Sequence, residues 1–426
     1  MSLIYSTLTS IVNKISYEFH KSFLFSTIFS ILTFIENQWV NSYFKRLYPS
    51  ETFLNFLNKI NIVKNHLFNP LIVILVFSIF LLLSIKSVTN SLAVTLLIGF
   101  IAFFMGSEIL PRFLLNNNAE ITIRFNRNDI YSIGFCLMLV SIVFFFVSIA
   151  SVGGIPILKP SIRYLLKPAF TMPVFLIIPA TCLIASAYLK DFQNGKIIRQ
   201  RVRFRFLLLL VIDCAILLTL GYRTPLLASF LIIIIIGYYG NIVSPWEVIV
   251  GALIGVGAIM GIGYFRSLGE QTITSATNPL STLQSRADFT LHVLNLLDYI
   301  GGTFGLTHGH LLASSIPGSD LGPRMLVGKL IAWRSEVTIT PTLIGQMVID
   351  FGKVGVFVEM CLLGLILGLG FKIMKITQDY FYIGIYSLIL TYSILGVETG
   401  ILDIQVLLYF IIAIFIYFTC ILKSRN

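Results

Sequence analysis

The sequence predicts an all-α polytopic membrane protein, and three observations carry that reading. Of 426 residues, 57% are hydrophobic and 12% charged, with a mean hydropathy of +0.91. A chain this apolar cannot hide its surface in one aqueous core. Apolar runs of roughly membrane-crossing length recur along it, and Lys and Arg collect in alternate connecting segments, as the positive-inside bias requires. About ten transmembrane helices are expected, or eleven if residues 22–36 also cross. Amphipathic helices should precede them, and a large, partly helical extracytoplasmic loop should fall late in the chain. The net charge of +11 follows from the same bias, so no nucleic-acid partner is inferred.

Residues 1–66 form the first region. Short apolar stretches there are broken by Lys14, Lys21, Lys45, Arg46, Lys59 and Lys64. Ile11, Ile15 and Phe19 share one helical face, which suits amphipathic helices on the cytoplasmic membrane surface. The apolar run at 23–35 follows Glu18, His20 and Lys21 without a small-residue cleavage site, so no cleavable signal peptide is expected. Residues 67–264 should hold seven spans, near 68–85, 91–109, 130–150, 170–189, 204–219, 225–240 and 244–264. Residues 265–353 form the large loop, and 354–426 the last three spans, near 354–372, 380–397 and 402–422.

Orientation follows from the densest basic run, Lys190, Lys196, Arg199, Arg201, Arg203 and Arg205, which belongs in the cytoplasm. Alternation then places the N-terminal region, the 110–129 loop, Lys372 and Lys375, and Lys423 and Arg425 inside. Residues 86–90, 151–168 and 265–353 fall outside.

Arginines on that outer side run against the topological bias, so each calls for a reason. Arg223 lies in Gly221-Tyr222-Arg223-Thr224-Pro225; Arg266, Arg286 and Arg324 begin and punctuate the long loop. Guanidinium forks bind phosphate in bidentate fashion, so several converging near the outer leaflet would hold an anionic, membrane-anchored group. Residues 283–300 read as an amphipathic helix with an apolar stripe of Phe289, Val293, Leu296, Leu297 and Ile300, stopped by Gly301-Gly302. It either rests on the membrane rim or presents Arg286 to substrate. His308 and His310 lack a third ligand at metal-binding spacing, so an imidazole base is the better use for them. Asp213 and Glu359 lie within spans, where carboxylates are candidates for function. Glu398 and Asp403, at span ends, read as solvated.

Other chemistries are missing. Cys136, Cys182, Cys214, Cys361 and Cys420 are odd in number and irregularly spaced, so neither a disulfide framework nor a zinc site is supported. No phosphate-binding P-loop, dinucleotide fingerprint or Asp-x-Asp motif occurs. No cofactor or metal is expected, and a cytosolic enzyme using nucleotide-bound substrates is disfavoured.

Three stretches carry a resemblance. They are Gly153-Gly154-Ile155-Pro156-Ile157-Leu158, then Gly221-Tyr222-Arg223-Thr224-Pro225, then Thr338-Ile339-Thr340-Pro341-Thr342-Leu343-Ile344-Gly345-Gln346 running into Asp350-Phe351-Gly352-Lys353-Val354-Gly355. A glycine-rich span, 363–370, follows. In these the chain resembles the oligosaccharide repeat-unit polymerases, the Wzy-type O-antigen polymerases, and more distantly the O-antigen ligases. The resemblance implies a glycosyltransferase in the cytoplasmic membrane that moves a glycan from one polyprenyl diphosphate carrier to the terminal sugar of another. Carrier-linked oligosaccharide would be both donor and acceptor, membrane lipids would surround the enzyme, and a chain-length regulator or flippase would be its protein partners. On this reading Arg223 and Arg286 hold the diphosphate, with Arg266 and Arg324 as second choices. His310 or His308 serves the acceptor hydroxyl, and inversion by a single metal-independent displacement is expected. A flippase or transporter of lipid-linked oligosaccharides and a ligase remain as alternatives.

Overall fold

A computed structural model describes residues 2–21, 23–41, 67–115, 125–158, 162, 165–269, 279–316, 319, 321–332 and 338–424. Regular structure among them is helical: α1 Ser2–Lys21, α2 Phe23–Asn41, α3 Ile72–Leu83, α4 Asn90–Leu114, α5 Arg127–Val152, α6 Pro168–Gln193, α7 Arg199–Thr219, α8 Arg223–Tyr239, α9 Pro245–Gly269, α10 Pro279–Gly301, α11 His310–Ala313, α12 Pro323–Ala332, α13 Leu343–Thr377, α14 Tyr380–Thr399 and α15 Ile404–Ser424. Local chemistry sets several of the starts. Thr89, Asn126, Thr342 and Asp379 each accept a backbone N–H of the first turn of α4, α5, α13 and α14, satisfying a donor that the helix itself cannot.

Five helices among the described residues, α4, α5, α6, α13 and α14, are long and apolar enough to cross a membrane. This is a multi-pass helical membrane protein. The expected span at 68–85 is the 12-residue α3, shorter than the ~20 residues that a bilayer needs. The apolar parts of α8, α9 and α15 are also short. Helix α7 has 21 residues but carries Arg203, Arg205 and Asp213. A count of ten therefore rests on these shorter or more polar helices crossing as well.

Helices α6 and α14 occupy the centre, with Ile177, Ile178, Leu189, Tyr380, Phe381 and Tyr386 buried between their neighbours. Asp213 of α7 is fully buried and accepts from the Thr181 hydroxyl of α6 at 2.9 and 3.0 Å. That partnership makes burial of its carboxyl tolerable. Helices α4 and the long limb of α13 run the same way, since Lys353 Nζ donates to Ser91 Oγ and Lys372 Nζ to the Pro111 carbonyl. They touch backbone to backbone. A Cβ on Gly106 would lie 2.1 Å from the Cys361 carbonyl oxygen, and one on Gly364 2.5 Å from that of Phe103. Small residues permit such approach where the solvent is itself apolar.

Ion pairs gather at two opposite ends of the bundle. At the first, Arg127 meets Asp191, Lys190 meets Asp379, and Arg203 meets Glu247. At the second, residues 84–95, 286–298, 324, 353 and 398–403 meet one another. Among the described residues, those that meet at the first end come from segments expected inside, and those that meet at the second from segments expected outside.

A cap closes the second end. Val293, Leu297, Leu311, Val327, Ile339 and Ile349, drawn from α10, α11, α12, the segment before α13 and the start of α13 itself, form a core of their own, with Leu402 packed on it. The expected helix at 283–300 is α10, but its buried face differs from the expected stripe. Leu291, Val293, Leu294 and Leu297 are buried, whereas Phe289 is 54% exposed. The reason is tertiary, because α10 is wedged between the start of α4 and α13 instead of lying on a rim. Asp288 accepts from Ser84 Oγ at 2.5 Å and Ile85 N at 2.8 Å, Asn295 from Thr89 Oγ1, and Asp298 from Thr95 Oγ1 at 2.5 Å.

Candidate active site

Helix α13 begins inside the cap and breaks before it enters the bundle. Gly352 has φ 63° and ψ −155°, a conformation open only to glycine. A Cβ there would also lie 2.3 Å from the Thr303 carbonyl carbon. The break frees backbone groups, and residues 302–308 take several of them. The Ile349 carbonyl accepts from Leu306 and Thr307 N–H, the Asp350 carbonyl accepts from His308 N–H, and Lys353 N–H donates to the Gly302 carbonyl. Asp350, 1% exposed, accepts from Leu311 and Leu312 N–H at 2.9 Å and from the Thr307 hydroxyl. Broken helices in membranes persist where neighbouring groups satisfy the backbone in this way.

One turn earlier on the same buried limb, Gln346 reaches the turn between α14 and α15. Its Oε1 accepts from Ile401 N–H at 3.0 Å and Leu402 N–H at 3.1 Å, and Gly400 turns there with φ 77°. Two acids flank this turn. Glu398 pairs with Arg286 Nε of α10, and Asp403 pairs with Arg324 Nη2 of α12 at 2.9 Å. The loop arginines are therefore brought to one place, although the acids that gather them had read as solvated span ends. Each of these pairs engages a single nitrogen of a guanidinium that carries five N–H donors. Arg324 Nε is buried without a hydrogen-bond partner among the described residues.

An apolar cavity of about 470 Å³ lies between Met172 and Phe175 of α6 and Ile404, Gln405, Leu408 and Tyr409 of α15, the helix that starts one residue after Asp403. The Tyr409 hydroxyl donates to the Phe175 carbonyl at 3.0 Å, which fixes the spacing of its walls. The Tyr222 ring stands edge-on to Phe175, centroids 4.8 Å apart, so Arg223, at the first position of α8, lies one residue from a side chain in contact with the wall.

The remaining candidates lie elsewhere. His308 (φ 46°) and His310 sit on the exposed loop that seals the helix break, and among the described residues neither ring is joined to the paired arginines. Arg266 falls in the last turns of α9, and its side chain lies outside those described. Glu398 and Asp403 are the residues that sequence reasoning passed over. Their one signal was position, two carboxylates either side of a glycine turn between apolar helices.

Comparison with known proteins agrees with the resemblance. The family model described as "Putative O-antigen polymerase" matches residues 66–410. An uncharacterized protein of Methanocaldococcus jannaschii is 26% identical over 332 residues, covering 76% of this chain and 86% of its own. No solved structure matches. With four-fifths of its length, cap and bundle alike, inside one family model, the chain belongs to the O-antigen polymerase family.

Proposed function

We propose that the protein polymerises polyprenyl-diphosphate-linked oligosaccharide repeat units on the outer face of the cytoplasmic membrane, by metal-independent inverting glycosyl transfer. The observation that carries this reading is the α14–α15 turn, where Arg286 and Arg324 are held by Glu398 and Asp403, with an apolar cavity lined by the first residues of α15 after it. The acceptor hydroxyl oxygen attacks the anomeric carbon of the donor. The bond from that carbon to the carrier phosphate breaks, and the lipid diphosphate leaves with the electron pair. Negative charge grows on the phosphate oxygens, and fixed guanidinium groups stabilise it there at no cost in reorganisation. The acids orient the guanidinium groups through one nitrogen each and leave further N–H donors for phosphate. Arg286 and Arg324 are the clamps at the turn, with Arg223 and Arg266 as further candidates for the diphosphate.

The acceptor proton needs a base. Glu398 and Asp403 are already ion-paired with the clamps, so His310 or His308 of the cap loop is assigned that role. The cavity takes the first isoprene units of the carrier, which are apolar and flexible.

The test is to give purified protein in lipid nanodiscs a single labelled lipid-diphosphate repeat unit. A ladder of products supports polymerisation. One discrete adduct that requires a second acceptor indicates a ligase, and movement across a bilayer without new bonds indicates a flippase. Arg286→Ala and Arg324→Ala should each slow the ladder on the order of 100-fold, the usual scale for losing one stabilising donor. Unchanged product lengths in both would overturn the assignment of these residues.

A further inference from the structure

A second cavity, of about 390 Å³, lies at the end of the bundle opposite the cap. Helix α1 crosses α5 there, setting Phe19 and His20 against Phe135 with ring centroids 5.4 and 5.0 Å apart. Helix α2 packs on α7, with Trp39 against Phe204 at 6.1 Å and Glu36 beside Arg205 at 3.5 Å. Between these two contacts the floor is α6, through Ile184 and Tyr188.

The lining is graded along the helix axes. At the end of the bundle are Arg127, stacked on the Tyr131 ring at 4.8 Å, and Arg205, stacked on the Tyr188 ring at 5.2 Å. Met138 lies about three helical turns further along α5, roughly 16 Å at the α-helical rise, and Ile212 is at a similar depth on α7. A charged mouth that becomes apolar along the membrane normal matches a lipid, and a free ion would leave the deep part without purpose.

The charges narrow the headgroup. Arg127 already faces Asp191, and Arg205 faces Glu36, so these four side chains cancel and a net anion gains little. Two valences stay open. Glu36 is 6% exposed, and its Oε1 meets Arg205 Nε at 3.5 Å as an ion pair without a hydrogen-bond partner among the described residues; the buried Arg127 Nε has no hydrogen-bond partner among them either. A buried acceptor held only by a long ion pair and a buried donor without an acceptor are each unfavourable. An ammonium and a phosphate on one short tether would satisfy both. We propose that this cavity binds a membrane phospholipid with a zwitterionic phospho-amine headgroup. The phosphate lies toward Arg127 and Arg205, the ammonium toward Glu36, and an acyl chain runs along Met138 and Ile212.

The experiment is native mass spectrometry of the full chain, delipidated and then exposed to equimolar phosphatidylethanolamine and phosphatidylglycerol. The wild type should retain one phosphatidylethanolamine with about a tenfold preference, equivalent to ~1.4 kcal/mol. Glu36→Gln should erase most of that preference. Met138→Trp, which fills the deep part and leaves the charges alone, should lose retention of both lipids. Retention of neither lipid by the wild type, equal retention of the two, or preference for phosphatidylglycerol would each overturn the proposal. So would a folded Met138→Trp variant, judged by thermal unfolding, that binds as the wild type does.

Discussion

A carboxylate buried where a helix breaks has either to be satisfied completely or to be absent. Asp350 is satisfied by two N–H groups and a hydroxyl, so it serves as the clasp of the cap. Asp350→Ala should cost about 3 kcal/mol, the scale of a lost charged partner that strands buried donors, and Asp350→Asn should recover part of it in thermal unfolding. Asp288 offers a pH handle. The Ser84 hydroxyl, helped by Ile85 and Lys86 N–H, holds its carboxyl below the ordinary carboxylate value, against a smaller opposing effect of burial. A depressed folded-state pKa stabilises fully above the unfolded value, about pH 4, and that contribution is lost as pH falls through the folded value. Hydrogen-exchange protection at residues 84–89, corrected for the intrinsic rate, should fall as the pH drops below about 4, the unfolded value, and on through the lower folded value. Asp288→Asn should flatten the profile. An unchanged profile in that variant would assign the effect to another group. The outer arginines could be singled out in the sequence because charge on that side needs a cause. Their partners could not, because Glu398 lies 112 residues from Arg286 and nothing local to either connects them.

Helix continuity is decided by single glycines. Gly153 ends α5 at φ 69° with nothing within 4 Å of where a Cβ would stand, whereas Gly352 combines φ 63° with three backbone atoms closer than 3 Å to that position. Gly153→Ala should therefore cost about 1 kcal/mol, the left-handed strain alone. Gly352→Ala should cost several-fold more, about 4 kcal/mol or loss of the folded cap, because overlap with backbone adds to that strain. Comparing the two by thermal unfolding separates strain from clash, and equal costs would refute the account. The sequence made the glycine-rich span after the break legible. The partner it packs against was not legible, because the backbone of α4 offers no pattern of side chains to read.

For the whole molecule, the two ends with their separate ion-pair sets make a sharp prediction about sidedness. In a cysteine-free background, His310→Cys and Lys196→Cys, both at exposed positions, should react with an impermeant thiol reagent from opposite sides of the membrane, His310→Cys from outside. Reaction from the same side would end the proposed topology. Composition, the spacing of apolar runs and the placement of Lys and Arg were enough to determine a multi-pass helical membrane protein with one long polar-rich segment, since burial in lipid and retention of positive charge act on each stretch by itself. Only tertiary structure decided that this segment is a cap with its own core, that α10 is wedged against α13, and that Arg286 and Arg324 meet at the α14–α15 turn. Those outcomes depend on which distant helices become neighbours, and packing between helices is a property of pairs that no single stretch of sequence encodes.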